Sequence, residues 1–281
     1  MTSTLEQDSG DAFRKEEPVE DDGSTAQSAS RQKVKIRLTG VSKRFGSKVV
    51  LDNLDLEVYE GESLVIIGAS GVGKSVLLKH VIGLMRPDSG TIEVDGVDLS
   101  SLGYRQITDF RRRFGMAFQE GALFDSMNVR ANIGFPLQRA RRFSRKEIAE
   151  RVDECLRMVN LEGTGSKLPS ELSGGMRRRV GFARAIALEP KILLFDEPTS
   201  GLDPVMTAAI DDVILDLQRT LQTTTITITH DMVSAFRIAD RVAMIHQGQI
   251  IAEAPPEEFR RLDDPRVQQF IEGRAEGPLN A

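Results

Sequence analysis

The chain has 281 residues, enough for one large α/β domain or two modest ones. At 40% hydrophobic and 28% charged it can build a sizeable core, and a net charge of -5 argues against general nucleic-acid binding. Its single cysteine, Cys155, excludes an intrachain disulfide and a thiolate metal cluster, and no apolar run approaches the ~18 residues a membrane span needs. The opening MTSTLEQDSGDAF has neither the basic nor the apolar region of a signal peptide, so a cytoplasmic location is expected. Docking onto a membrane protein from that side stays open.

Residues 1–32 are rich in Asp, Glu, Ser, Thr and Gly. Such a segment buries too little surface to offset its ordering entropy and reads as a disordered acidic tail. Folded structure is expected from Lys33. VKIRLTGVSKRFG alternates apolar and polar residues as a half-buried strand does, and SKVVLDNLDLEVYEGES adds a turn and a second strand. Phe45 falls on the loop between them, where a ring could stack on adenine; its position alone favours core packing.

The run Ser63 to Ile67 reads as a buried parallel strand, and an amphipathic helical run follows from Ser75 to Leu84. Between them Gly68, Gly73, Lys74 and Ser75 fit G-x-x-x-x-G-K-[ST] in the strand–loop–helix context the pattern requires. Glycines let the backbone turn its N–H groups inward, and the helix N-terminus adds a positive dipole end, so the loop suits a polyphosphate. The expected ATP contacts are Gly68, Ala69, Ser70, Gly71, Val72, Gly73, Lys74, Ser75 and Val76. Lys74 would reach the β- and γ-phosphates, and the Ser75 hydroxyl would ligate Mg²⁺.

Further on, RPDSG is a turn cluster, TIEVDGVDL a short strand pair, and FGMAFQ a buried strand ending at Gln119. From Gly121 to about Leu168 the pattern becomes helical. Arg111 to Arg113 and Arg139, Arg141 and Arg142 are expected on solvated faces. A second long helix opens at Ser173-Gly174-Gly175, KILLFDEP is an apolar strand ending in Asp196 and Glu197, and a helix covers Met206 to Leu221. TTTITITH is a β-branched strand ending at His230, ADRVAMIHQGQIIAEA a hairpin, and the charged tail is partly helical.

Alternating strands and helices with an early phosphate loop indicate an α/β fold with a mostly parallel sheet covered on both faces. Ligands in such folds bind at the carboxyl ends of the strands, where Gly68, Gln119, Asp196 and His230 all fall. Phosphoryl transfer needs charge neutralisation and an aligned water. Asp196 suits holding Mg²⁺ and Glu197 activating the water; Gln119 could complete the metal and water coordination, and His230 could hydrogen-bond the γ-phosphate.

Together these motifs resemble the ATP-binding subunit of an ABC transporter. They stand as a P-loop (GASGVGKS), a Q-loop (Gln119), a signature (Leu172 to Met176), a Walker B strand (ILLFDE), a D-loop (Ser200 to Asp203) and an H-switch (His230). The resemblance runs from about residue 36 to 250. It implies a P-loop ATPase domain at 33–252, with an antiparallel β subdomain and a helical subdomain at about 120–180, then a C-terminal extension at 253–281. It raises Phe45 to a stacking role. It also implies a head-to-tail homodimer in which Ser173, Gly174, Gly175 and Asp203 of one subunit close over ATP on the other.

Two departures, Met176 for the usual Gln and Val76 for the usual Thr, remove no phosphate or metal ligand. With IGLMRPDSG, FQEGALFDSMNV and the tail DDPRVQQFIEG, they resemble the ATPases of the Mla (maintenance of lipid asymmetry) and Mce-type lipid transporters. That likeness implies phospholipid cargo moved between inner and outer membranes and a place at the cytoplasmic face of the inner membrane. The implied partners are an integral-membrane permease, gripped through Gly121 to Asn132, a periplasmic Mce-domain protein and a STAS-domain protein. An importer for a small polar solute is the alternative. A soluble ATPase acting on DNA or ribosomes would need a long coiled-coil insertion or two cassettes in one chain, and this sequence has neither.

Overall fold

Strand β3 (Ser63–Ile67) is buried at every residue, and the chain is laid down around it in the computed structural model, which describes residues 33–119 and 121–280. The acidic segment 1–32 lies outside the described residues. A six-stranded sheet runs in the order β10-β9-β3-β8-β7-β6, comprising β6 (Phe114–Ala117), β7 (Ile192–Asp196), β8 (Thr224–Ile228), β9 (Arg241–His246) and β10 (Gln249–Ala254). All neighbours pair in parallel except the β9–β10 hairpin. A second, antiparallel sheet of order β2-β1-β4-β5 joins β1 (Val34–Phe45), β2 (Lys48–Tyr59), β4 (Ser89–Val94) and β5 (Val97–Asp98).

The period-two alternation of a strand explains how one apolar run serves two cores. In β3, Leu64 and Ile66 face a core shared with the antiparallel sheet, together with Leu38, Leu54 and Val58. Val65 and Ile67 face the opposite core, which the helices fill. Strand β7 divides the same way, with Leu194 on the first side and Leu193 and Phe195 on the second. Because both faces are covered, neither strand shows a polar alternation.

The helices are α1 (Lys74–Val81), α2 (Tyr104–Phe110), α3 (Val129–Ala140), α4 (Arg145–Met158), α5 (Gly174–Ile186), α6 (Pro204–Leu221), α7 (Met232–Ile238), α8 (Pro256–Phe259) and α9 (Pro265–Glu272). The stretch expected to turn helical at Gly121 starts instead as a loop. Gly121 and Ala122 take positive φ, and the fully buried Asn132 pins the segment, accepting from the Phe124 N–H at 2.8 Å and donating to the Phe124 and Met127 carbonyls at 3.1 and 2.9 Å. Asn128 then caps α3, and Ser144 with Glu147 forms a reciprocal capping box on α4.

Arg111 is not on a solvated face. Its guanidinium donates to the Ile82 and Gly83 carbonyls, satisfying the C-terminal end of α1, while Arg113 pairs with Asp95 at 3.0 Å. The tail after β10 is seated on the main body, since Phe259 and Val267 are fully buried in the helix-side core. No helix among the described residues is long and apolar enough to cross a membrane.

One buried acid is out of keeping with that core. Asp211 on α6 is 1% exposed and accepts a hydrogen bond from the Ser234 hydroxyl of α7. Burial pushes its carboxyl up from 3.8 to about 6. Between those pH values the unfolded chain has released this proton while the folded chain still holds it. Stability therefore falls as pH rises through that window and stays lowered above it. Asp211→Asn keeps an acceptor for Ser234 and removes the charge. It is expected to gain up to about 3 kcal/mol over the parent near pH 7.5 in urea denaturation, the gain shrinking toward zero as pH falls to about 4.

Candidate active site

The glycine-rich turn between β3 and α1 has a backbone that other residues would not adopt. Gly68, Gly71 and Gly73 have φ of 154°, 78° and 111°. A Cβ on Gly68 would stand 2.5 Å from the Ile245 carbonyl oxygen, and one on Gly73 2.8 Å from that of Val50. Glycine is required by both conformation and space. No capping side chain consumes the amides at the start of α1, whose N-cap is Gly73. Those donors and the dipole end suit an anion.

Lys74 is 7% exposed, with its ammonium donating to the Gly68 and Ala69 carbonyls at 2.6 and 3.2 Å. Burial lowers its pKa, and the Glu197 carboxylate, 3.6 Å away, opposes that shift. The Ser75 hydroxyl donates to Asp196 Oδ1 at 3.1 Å, so the start of α1 is tied to the end of β7. Two oxygen ligands of this kind suit Mg²⁺, which is held by one or two side chains together with substrate phosphates. Among the described residues no group of three or more His, Cys, Asp or Glu side chains could hold a metal ion.

Glu197 sits one residue past β7 in a left-handed conformation, φ 51°, and its N–H donates to the Ile228 carbonyl at 2.9 Å. Its carboxylate lies between Lys74 and His230, whose Nδ1 is 2.8 Å from Oε2. The structure thus gathers Lys74, Ser75, Asp196, Glu197 and His230 at one sheet edge. Gln119 is turned elsewhere: its Nε2 donates to Ser200 Oγ at 3.2 Å.

Phe45 does not pack in the core; the residue is 47% exposed, with the Lys43 ammonium 5.9 Å from its ring centroid. A cavity of about 900 Å³ opens over the phosphate loop, lined by Ala69 to Val72, Lys48, Val50 and His230. Its further walls are the hairpin turn His246 to Gly248 and the segment from Gln269 to Leu279. Local patterns do not announce those walls. The link is long-range, as where Asp52 N–H donates to the Gly248 carbonyl at 3.0 Å.

The second glycine cluster lies apart. Ser173 caps α5, its hydroxyl accepting from the Met176 N–H at 3.2 Å, and a Cβ on Gly175 would collide with Met206 Cε at 2.3 Å. Asp203 caps α6 by accepting from the Val205 and Met206 N–H groups, each at 3.0 Å. Among the described residues no hydrogen bond joins Leu172 to Met176 with Gly68 to Val76.

A family model described as ABC transporter matches residues 51–200. The chain belongs to the ABC transporter family. A dimeric ABC cassette in a post-hydrolysis state, bound to ADP and phosphate, superposes with a TM-score of 0.72 at 31% identity, covering 79% of this chain and 98% of that one. The probable ribonucleotide transport ATP-binding protein mkl of Mycobacterium leprae is 41% identical, over 88% of this chain and 71% of its own length. The intermembrane phospholipid transport system ATP-binding protein MlaF of Haemophilus influenzae is 38% identical, over 87% of this chain and 92% of its own. As an ABC transporter ATPase, this chain binds nucleotide and hydrolyses ATP in support of transport.

For this ABC cassette, Lys74→Ala removes the one cation inside the phosphate loop. The variant is expected to lose tenfold or more in ATP affinity by isothermal titration calorimetry. Unchanged affinity would mean that the loop is not where the phosphates bind.

Proposed function

We propose that this chain is the ATPase that energises phospholipid transport between the inner and outer membranes, working as a peripheral subunit at the cytoplasmic face of the inner membrane. The observation that carries the reading is the likeness to MlaF, which extends over 92% of that protein's length. A second reading, an importer ATPase for a small polar solute, is favoured by the likeness to a protein named for ribonucleotide transport.

In the proposed cycle ATP lies in the cavity over the phosphate loop, with its phosphates on the loop amides and Lys74 and its base toward the exposed ring of Phe45. Ser75 and Asp196 would hold Mg²⁺, with Gln119 swinging from Ser200 to join them. The ion supplies charge neutralisation at the β- and γ-phosphates. Glu197 takes a proton from the attacking water. His230, whose Nδ1 lies 2.8 Å from Glu197 Oε2, would bridge that carboxylate and the γ-phosphate, orienting both. The separation of the two glycine clusters supports a homodimer, in which Ser173, Gly174, Gly175 and Asp203 of one copy complete the site on the other.

The segment from Gly121 to Asn132, a loop running into the start of α3, is the proposed contact for a membrane-embedded permease. A periplasmic Mce-domain protein and a cytoplasmic STAS-domain protein would complete the assembly. Affinity capture of the chain from gently solubilised native membranes, with mass spectrometry of proteins and lipids, tests this reading. Co-purification of a permease, an Mce-domain protein and phospholipid is expected. A permease with a solute-binding protein would transfer the assignment to the importer, and capture of soluble partners alone would reject both. In the assembled complex Glu197→Gln is expected to keep ATP affinity and lose a factor of at least 100 in turnover. Parental turnover in that variant would remove Glu197 from the role of base.

A further inference from the structure

Arg177, Arg178 and Arg179 follow one another on α5, so their side chains leave the helix about 100° apart. All three find backbone carbonyls. Arg177 donates to Leu172 at 2.7 Å, and Arg179 reaches Asn160 at 3.2 Å, both in local contacts of the helical layer. Arg178 is different. Its buried guanidinium donates from Nε to the Gln119 carbonyl at 2.8 Å and from Nη2 to the Ser200 carbonyl. The Gln119 side chain closes the triangle through Ser200 Oγ, and the Ser200 N–H donates to the Glu197 carbonyl at 3.3 Å.

The surrounding backbone reinforces the arrangement. A Cβ on Gly181 would lie 2.8 Å from Gly121 Cα, one on Gly121 would lie 2.6 Å from the Arg177 carbonyl oxygen, and Arg184 donates to the Gly121 carbonyl at 2.8 Å. The segment after β6 is therefore pressed directly onto α5. The segment after Glu197 is held to the same helix through Arg178. At its N-terminus α5 begins at Gly174, capped by Ser173, on the glycine cluster that the dimer reading places over the neighbouring subunit's ATP.

We infer that Arg178 is a positioning residue that locks the Gln119 and Ser200 loops to α5, so that contact of Ser173–Gly175 with the neighbour's nucleotide sets the geometry of Glu197 in its own subunit. The inference rests on the ATPase cycle proposed above. Arginine suits the task because its planar fork presents donors at fixed angles to two acceptors on different loops. Lysine is a point charge on a flexible stem and does not reproduce that fork, and methionine supplies no donor. The route runs from α5 through Arg178 and Ser200 to the backbone of Glu197, so substitution acts first on the placement of the base and reaches the phosphate loop only through the Glu197–Lys74 pair.

The test compares the parent, Arg178→Met, Arg178→Lys and Glu197→Gln in the assembled transporter. It measures ATP affinity, kcat and KM, and amide hydrogen exchange. Both Arg178 variants are expected to keep ATP affinity and KM within twofold and to lose tenfold or more of kcat. Peptides over 116–124 and 197–204 should gain exchange together while the β3 and β8 peptides keep their protection. Parental kcat in Arg178→Lys, loosening of one loop alone, or a rise in exchange across α5 and the sheet would each overturn the clip. Glu197→Gln separates the two claims. If it turns over at the parental rate the base assignment fails, and if it is inactive while Arg178→Met is unimpaired only the clip fails.

Discussion

Three parallel strands finish level with one another, and the site depends on that register. Ile66 of β3 and Asp196 of β7 both stand opposite Ile228 of the intervening β8. A slip of one residue in either pairing would turn the buried side chains of that strand to the opposite face. It would also separate Ser75 from Asp196 and Glu197 from His230. The two cores set the register, because Leu64 and Ile66 fit one and Val65 and Ile67 the other. Packing on both faces of the sheet is thus what brings ammonium, hydroxyl, carboxylates and imidazole to one edge.

The parts of the molecule legible in the sequence are those whose physics is local. The phosphate loop is a contiguous run in which each glycine answers a backbone demand, and the apolar strands β3 and β7 are marked by burial on both faces. Asp196 and Glu197 follow directly from the end of such a strand. The loop at Gly121 was not legible, because Asn132 holds it by hydrogen bonds that its helical-looking composition does not reveal. Arg111 likewise looks like a surface charge until the end of α1 is placed beside it. The left-handed backbone at Glu197 has no signature at all, since glutamate is not a residue that favours it.

The tail after β10 makes a related point. In the sequence it is a charged, partly helical extension. Two of its apolar side chains, Phe259 and Val267, nevertheless reach the helix-side core, and residues from Gln269 onward form a wall of the cavity over the phosphate loop. Charge density along a segment reports its exposed side and says little about where its few apolar residues are seated.

Glu197 combines a strained backbone with the carboxylate proposed as the base. A non-glycine residue held at positive φ costs on the order of 1–3 kcal/mol, retained only because its surroundings over-determine it. Glycine at 197 would relax the backbone and abolish the carboxylate, while a β-branched residue would worsen the strain and lose the carboxylate as well. Selection for thermal resistance alone would therefore drift away from glutamate here, and selection for turnover would hold it in place. Stability and activity, screened separately, would rank glycine and glutamate at this one position in opposite orders.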